Sequence, residues 1–193
     1  MSLLTPSSDA VSQAGRAAQE LGLAGMLGGN LYGRLALHPA VARISDPRER
    51  GAVVNAAWRR YGTVNSLGLA AMTAGWVGAR AEEARGPRKL TRRERALARV
   101  KDGLVATVFV TGVATAIEGV RFSRQAPDGA VPLADGSHPS PATPPRAARM
   151  KRTLNVLGAT AIAAEAALVA VNAALAQENF RSSPLRRRFR RWG

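Results

Sequence analysis

Four stretches of the chain are nearly free of charged residues and rich in alanine, glycine, leucine and valine. They cover residues 21–38, 63–79, 103–120 and 153–176. At a rise of 1.5 Å per residue, a helix of 17 to 24 residues is about 25–36 Å long, which brackets the ~30 Å hydrocarbon core of a bilayer. The pattern predicts an all-α protein, a bundle of four transmembrane helices that forms a single membrane domain over residues 1–193.

The second and third stretches favour lipid over water as the medium around the helices. Residues 63–79 and 103–117 carry no charged face, whereas a long helix of a soluble bundle is polar on one side. A soluble basic bundle with a nucleic-acid-binding tail is the alternative, because alanine, glycine and threonine are only weakly apolar.

The charge distribution distinguishes a membrane bundle from a soluble basic bundle. The chain has 28 Lys and Arg against 13 Asp and Glu, a formal net charge of +15. Among the basic residues only Arg34 lies inside an apolar stretch. Membrane proteins partition charge in this way, whereas a nucleic-acid binder carries it along a folded face. We therefore expect a lipid bilayer, and not nucleic acid, as the partner.

The connections between the stretches predict the orientation. Nine basic residues lie in residues 80–102 and six in the tail at 177–193, against five in 39–62 and six in 121–152. By the positive-inside rule both termini face the cytoplasm of a multi-pass protein in the cell (plasma) membrane. The Pro/Gly/Ser-rich segment 126–145 is then an irregular external loop.

The basic tail and a glycine ladder are the predicted contact surfaces. In the tail, Phe189 and Trp192 are interleaved with arginines, a composition that suits anionic lipid at the inner leaflet. In the first stretch Gly25, Gly29 and Gly33 recur at intervals of four. Such a ladder lets another helix approach closely, within the chain or in a homo-oligomer or larger membrane complex.

A polar stripe lies beside this ladder, with Asn30, Arg34 and His38 also at intervals of four. An arginine in the bilayer costs several kcal/mol unless it is paired or reaches water. A partner is therefore expected, and Glu118 lies at the same depth. Glu165, about 12 residues into the fourth stretch, is about 18 Å deep and is the deepest acid.

With both termini inside, polar residues from all four stretches converge in the outer half of the bundle. The predicted pocket comprises Asn30, Arg34, His38, Asn65, Glu118 and Glu165. Intramembrane ionisable residues indicate proton transfer or a small ligand, while the alternative is a structural network that fixes helix register. No metal or cofactor is predicted, because the chain has no cysteine and no second histidine in an apolar stretch.

An enzymatic reading assigns roles to the same side chains. His38 would act as general base or proton shuttle, and Arg34 would stabilise a developing enolate-like charge. Glu118 or Glu165 would tune the acidity of both groups. The predicted ligand-binding residues are Asn30, Asn65, Trp58 and Tyr61.

Two helix starts are visible outside the apolar stretches. Asp46 precedes Pro47, and Thr91 is followed three residues later by Glu94, which is the spacing of a capping box. Each predicts a short helix that flanks a span at the membrane interface.

The segment 29–40 (GNLYGRLALHPA), followed by Trp58-Arg59-Arg60-Tyr61 at the opening of the second apolar stretch, resembles the anthrone-oxygenase-like family of small membrane proteins. The resemblance covers about the first 80 residues. It implies a four-helix membrane domain and, for some members, cofactor-independent oxygenation of polyketide anthrones.

Overall fold

The computed structural model describes residues 8–85 and 90–181, and over these ranges the protein is all-helical, with 85% helix and no strands. Four long helices account for most of it: α1 (Ser8–Tyr32), α2 (Pro47–Arg85), α3 (Arg92–Ser123) and α4 (Pro145–Arg181). The all-α prediction is confirmed. The helices extend well beyond the apolar stretches, and the predicted basic tail from residue 182 onward lies outside the described residues.

The two predicted helix starts are real, but the prediction of separate short helices is wrong. Asp46 Oδ1 accepts from the backbone N–H of Arg48 at 2.9 Å, at the start of α2. At the start of α3, Thr91 Oγ1 accepts from Glu94 N at 3.1 Å and Glu94 Oε2 accepts from Thr91 N at 2.7 Å. No proline or glycine pair interrupts either helix, so each cap begins one continuous helix that runs on through the apolar stretch.

Among the described helices, α3 and residues Pro145–Glu178 of α4 are long and apolar enough to cross a membrane. In each helix an apolar segment of 18 residues meets this criterion, and only 17% of that segment in α3 and 22% of it in α4 is buried inside the protein. The core helix of a soluble protein buries most of such a segment, so the exposure of these apolar residues points to a membrane protein.

Neighbouring helices run in opposite directions around the bundle. Contacts join α1 to α2, α2 to α3, α3 to α4 and α4 back to α1. Consequently α1 and α3 lie diagonally opposite each other. The described chain begins and ends at the same end of the bundle, here called the terminal end, and the other end is called the capped end.

Glycines bring the backbones of α1 and α2 into contact. A Cβ on Gly22 would lie 2.6 Å from the carbonyl oxygen of Gly68, and a Cβ on Gly75 would lie 2.6 Å from that of Gly15. The paired positions are seven residues apart on each helix, because an antiparallel pair returns to the same contact every two turns. Only glycine permits this approach.

Two apolar clusters fill the bundle, one near each end. The cluster toward the terminal end comprises Leu23, Met26, Met72, Val105, Val108, Ala164 and Leu168. The cluster at the capped end comprises Val41, Val54, Phe122, Val131, Leu133, Ala147 and Met150. Polar side chains of α1, α2 and α4 lie between them.

The connection from α3 to α4 lies over one end of the bundle and, apart from a 3-10 turn at Pro127–Gly129, has no helix. We call residues 124–144 the cap. Its Val131 and Leu133 are fully buried in the second cluster. Arg50 of α2 donates to the carbonyl oxygens of Leu133 (3.4 Å) and Ala134 (2.7 Å). Composition predicted an irregular external loop over residues 126–145; buried side chains and backbone hydrogen bonds hold this segment against the bundle.

The close approach of α1 and α2 generates a test. Gly22→Ala should destabilise the protein by about 1–3 kcal/mol, because its methyl group meets backbone that cannot rotate away. Gly28→Ala is the matched control, since nothing lies within 4 Å of the Cβ it adds; alanine there should be neutral or stabilising by up to about 1 kcal/mol. Thermal unfolding in detergent measures both, and equal melting temperatures would contradict the contact.

Candidate functional site

A wide helical turn at the end of α1 positions His38. The backbone from Gly33 to Leu37 forms a π-helical turn, in which the N–H of His38 bonds to the carbonyl of Gly33, five residues earlier. Pro39 has no N–H to continue an α-helical ladder, and its ring crowds the preceding turn. Such turns relieve this conflict, and here the turn directs a histidine inward.

His38 is buried beneath the cap, with both ring nitrogens engaged. The indole N–H of Trp58 donates to its Nε2 at 3.0 Å, and its Nδ1 lies 2.9 Å from Ser137 Oγ. Because an indole can only donate, Nε2 is the unprotonated nitrogen and Nδ1 of the neutral ring donates to Ser137. The general-base role predicted for His38 therefore has no free nitrogen in this arrangement.

Two of the three glycines in the predicted ladder pack against aromatic rings of α2. A Cβ on Gly33 would lie 2.5 Å from the Trp58 ring, and one on Gly29 would clash with the Tyr61 ring. The Tyr61 hydroxyl donates to the carbonyl oxygens of Met26 (2.8 Å) and Gly25 (3.1 Å). Gly29 and Gly33 thus serve packing within the chain, whereas a Cβ on Gly25 would make only an ordinary contact with Val64 at 3.9 Å.

Glu165 of α4 is held by Asn30 of α1 in the interior. The amide nitrogen of Asn30 donates to Glu165 Oε1 at 2.9 Å and to Oε2 at 3.2 Å. Glu165 is 1% exposed, so this amide takes the place of water at both carboxyl oxygens. The sequence placed both residues in the site, and the structure brings them together.

These contacts form one polar layer, which we define as Asn30, His38, Trp58, Tyr61 and Glu165. The rings of Trp58 and Tyr61 meet edge to face with centroids 5.6 Å apart, as do those of His38 and Trp58. The Tyr61 hydroxyl lies within electrostatic range of the Glu165 carboxyl. The layer therefore reaches from the middle of the bundle to the underside of the cap.

Three predicted site residues lie outside the polar layer. Arg34 is half-buried but forms none of the described ion pairs, and Asn65 contributes no hydrogen bond to the layer. The expected ion pair between Arg34 and Glu118 is not formed, because α1 and α3 are diagonal in the bundle. Glu118 instead pairs with Arg121 at 3.8 Å.

The cap covers the capped end of the bundle, next to His38. The N–H of Gly136 donates to the carbonyl of His38 at 3.0 Å, and Asn155 of α4 donates to the carbonyl of Ser137 at 2.6 Å. Sequence reasoning missed Ser137 and Asn155 as partners of the site. Nothing in a Pro/Gly/Ser-rich segment indicates which backbone groups will pack against a helix junction.

Asp135 shapes the part of the cap that covers His38. Its carboxylate accepts from the backbone amides of Ser137 and His138, and from the His138 ring at 2.8 Å. Partial burial alone would raise the pKa of Asp135, but these hydrogen bonds outweigh it and hold the pKa below its usual value.

No protein-family model matches this chain, and neither a curated protein nor a solved structure matches it. The resemblance stated above therefore rests on the residues quoted for it. Two of them, His38 and Trp58, are bonded to each other across the junction of α1 and α2.

The lowered pKa of Asp135 gives the cap a pH dependence. A group whose pKa is lower in the folded state contributes stability that is present at neutral pH and is lost as pH falls through that lowered pKa. Asp135→Asn should therefore cost about 1 kcal/mol at pH 7 and nothing at pH values well below the carboxyl range of about 4.

Thermal unfolding in detergent at both pH values measures this difference. Asp128→Asn is the matched control, since Asp128 is an exposed carboxylate of the same cap. A loss from Asp135→Asn that is equally large at both pH values would show that the carboxylate does not hold the cap.

Proposed function

We propose that this chain is a four-span integral membrane protein of the cell membrane, with its terminal end in the cytoplasm. We further propose that its polar layer is a proton-exchanging site centred on Glu165.

The observation that carries the proposal of spanning is an exposed apolar belt on all four helices. Large apolar side chains that face away from the bundle include Leu21 (75% exposed), Leu35 (71%), Leu67 (67%), Val110 (63%) and Val156 (66%). A monomeric soluble protein rarely exposes a continuous apolar surface of this extent. Lipid tails are the medium that covers every side of a bundle at once.

Charged pairs bound this belt at the terminal end. Asp102 accepts from the Trp76 indole at 2.8 Å and forms an ion pair with Arg80, and Arg93 pairs with Glu178 at 3.2 Å. Tryptophan and arginine at one level are typical of a membrane–water interface. At the capped end, the ion pair of Arg121 with Glu118 supports the position of the other edge of the apolar belt.

The positive-inside rule supports the orientation. Segments 80–102 and 177–193, which flank the apolar stretches toward the terminal end, hold fifteen basic residues, against eleven in segments 39–62 and 121–152. The basic tail would then meet anionic lipid of the inner leaflet.

Glu165 supports the second half of the proposal. The buried carboxyl group of Glu165 is held by a neutral amide and has no counter-ion among the described side chains, so its neutral form is the one that suits the interior of the bundle. Gaining or losing a proton there would change its bonding to Asn30. A cofactor-independent oxygenase is the alternative that the resemblance implies, but it needs a free nitrogen on His38.

Single-cysteine labelling tests the topology, and the chain is suited to it because it has no cysteine. With a membrane-impermeant maleimide, Ala142→Cys in the cap should react in intact cells. Ala14→Cys at the terminal end should react only after permeabilisation. Ala106→Cys, exposed on α3, should stay unlabelled in both cases because lipid covers it.

Labelling of Ala106→Cys in intact membranes, or release of the protein by carbonate without detergent, would contradict membrane spanning. Labelling of Ala14→Cys in intact cells together with protection of Ala142→Cys would reverse the orientation.

Proton exchange is tested in liposomes with a trapped pH-sensitive dye. Wild-type protein should dissipate an imposed pH gradient several-fold faster than Glu165→Gln, because the amide can accept the Asn30 hydrogen bond but cannot carry a proton. Asn172→Ala, a change on the same face of α4, is the control and should behave as wild type. Equal rates for wild type and Glu165→Gln would make Glu165 a structural residue.

A further inference from the structure

An exposed stripe of side chains runs the length of α3, and it is basic at the start of the helix and apolar farther along. Its members recur at intervals of three and four residues and all face away from the bundle. From the start of the helix they are Arg92, Arg95, Arg99, Gly103, Ala106, Val110, Val113, Ile117 and Val120. The first three, here called the arginine stripe, are basic, and the remainder are apolar.

The change occurs at the level of the terminal-end interface. Gly103 follows Asp102, whose carboxylate binds Trp76 and Arg80. At 1.5 Å per residue, the Cα atoms of Arg99 and Arg95 lie about 6 and 12 Å beyond Gly103 along the helix. Headgroup regions occupy this distance from the hydrocarbon edge, and arginine side chains reach along it.

The positive charge of the arginine stripe is not neutralised by the described side chains. Among the acids at this end whose side chains the structure describes, Asp102 pairs with Arg80, Glu178 pairs with Arg93, Glu94 takes part in the capping box of α3, and Glu20 accepts from Asn172. The stripe also begins in the first turn of α3, where the helix dipole disfavours a cation at Arg92. Both effects are relieved by an anion that binds from outside the chain.

From this placement we infer that the arginine stripe binds the phosphate headgroup of an anionic phospholipid in the inner leaflet. The acyl chains of that lipid lie along Gly103, Ala106 and Val110. A lipid is the occupant because its anionic head and apolar tail match the two halves of one continuous stripe. A nucleic acid or an acidic peptide would match the arginines alone. The inference rests on the proposed membrane insertion and adds a lipid preference to it.

Native mass spectrometry of the detergent-solubilised protein tests this inference, with phosphatidylglycerol and phosphatidylcholine as probes. Wild type should bind phosphatidylglycerol more tightly. Each arginine near an anionic surface contributes roughly a fivefold change in affinity, so Arg92→Gln/Arg95→Gln/Arg99→Gln should weaken phosphatidylglycerol binding by tenfold or more. Phosphatidylcholine binding should change little.

The matched control removes the same charge at the other end of the bundle. Arg43, Arg48 and Arg146 are exposed there, and their replacement by glutamine should leave phosphatidylglycerol binding within twofold of wild type. Inorganic phosphate at millimolar concentration should not displace the lipid, because it lacks the acyl chains. Displacement by free phosphate or by an oligonucleotide would overturn the assignment to lipid.

The two proposals fail in different ways. If the arginine-stripe variant binds phosphatidylglycerol as wild type does, or the control variant loses as much affinity, the lipid site is wrong while carbonate-resistant insertion still stands. If the protein leaves the membrane without detergent, membrane insertion fails and the lipid site fails with it.

Discussion

The backbone contact between α1 and α2 is the constraint on which the rest of the structure depends. Gly22 against Gly68 and Gly15 against Gly75 set the register of the two helices. Continued toward the capped end, the same register places Tyr61 on Gly29 and Trp58 on Gly33. It thereby brings the indole within hydrogen-bonding distance of His38. Close packing at these glycines and the hydrogen bonds that it permits determine the arrangement of α1 and α2.

The polar layer follows from a second requirement, that polar groups in an apolar medium be satisfied within the protein. Asn30 and Glu165 bond to each other across α1 and α4, whereas the Tyr61 hydroxyl donates to backbone carbonyl oxygens of α1. Both ring nitrogens of His38 form hydrogen bonds, one with Trp58 of α2 and the other with Ser137 of the cap. The cap is thus part of the site, because removing it would leave a buried imidazole nitrogen without a partner.

Much of the fold could be predicted from local sequence. The apolar stretches located the four helices, and the spacing of Thr91 and Glu94 gave a true helix start, because both signals depend on neighbours in sequence. The glycine ladder was found at intervals of four, although the backbone contact recurs every seven residues, a period that depends on the partner helix. The ion pair of Arg34 with Glu118 was wrong because helix depth says nothing about which helices are neighbours.

Arg50 attaches the cap to the bundle through main-chain atoms. Its guanidinium donates to the carbonyl oxygens of Ile44, Ser45, Leu133 and Ala134. A carbonyl is the same group in every residue, so this anchor recognises the path of the cap and ignores the identity of most of its side chains. The length of the segment is therefore constrained more tightly than its composition. A fixed path explains how a run of prolines, alanines and serines that resembles a linker serves as the lid of the helical bundle, and it leaves the side chains that face away from the bundle free to diverge.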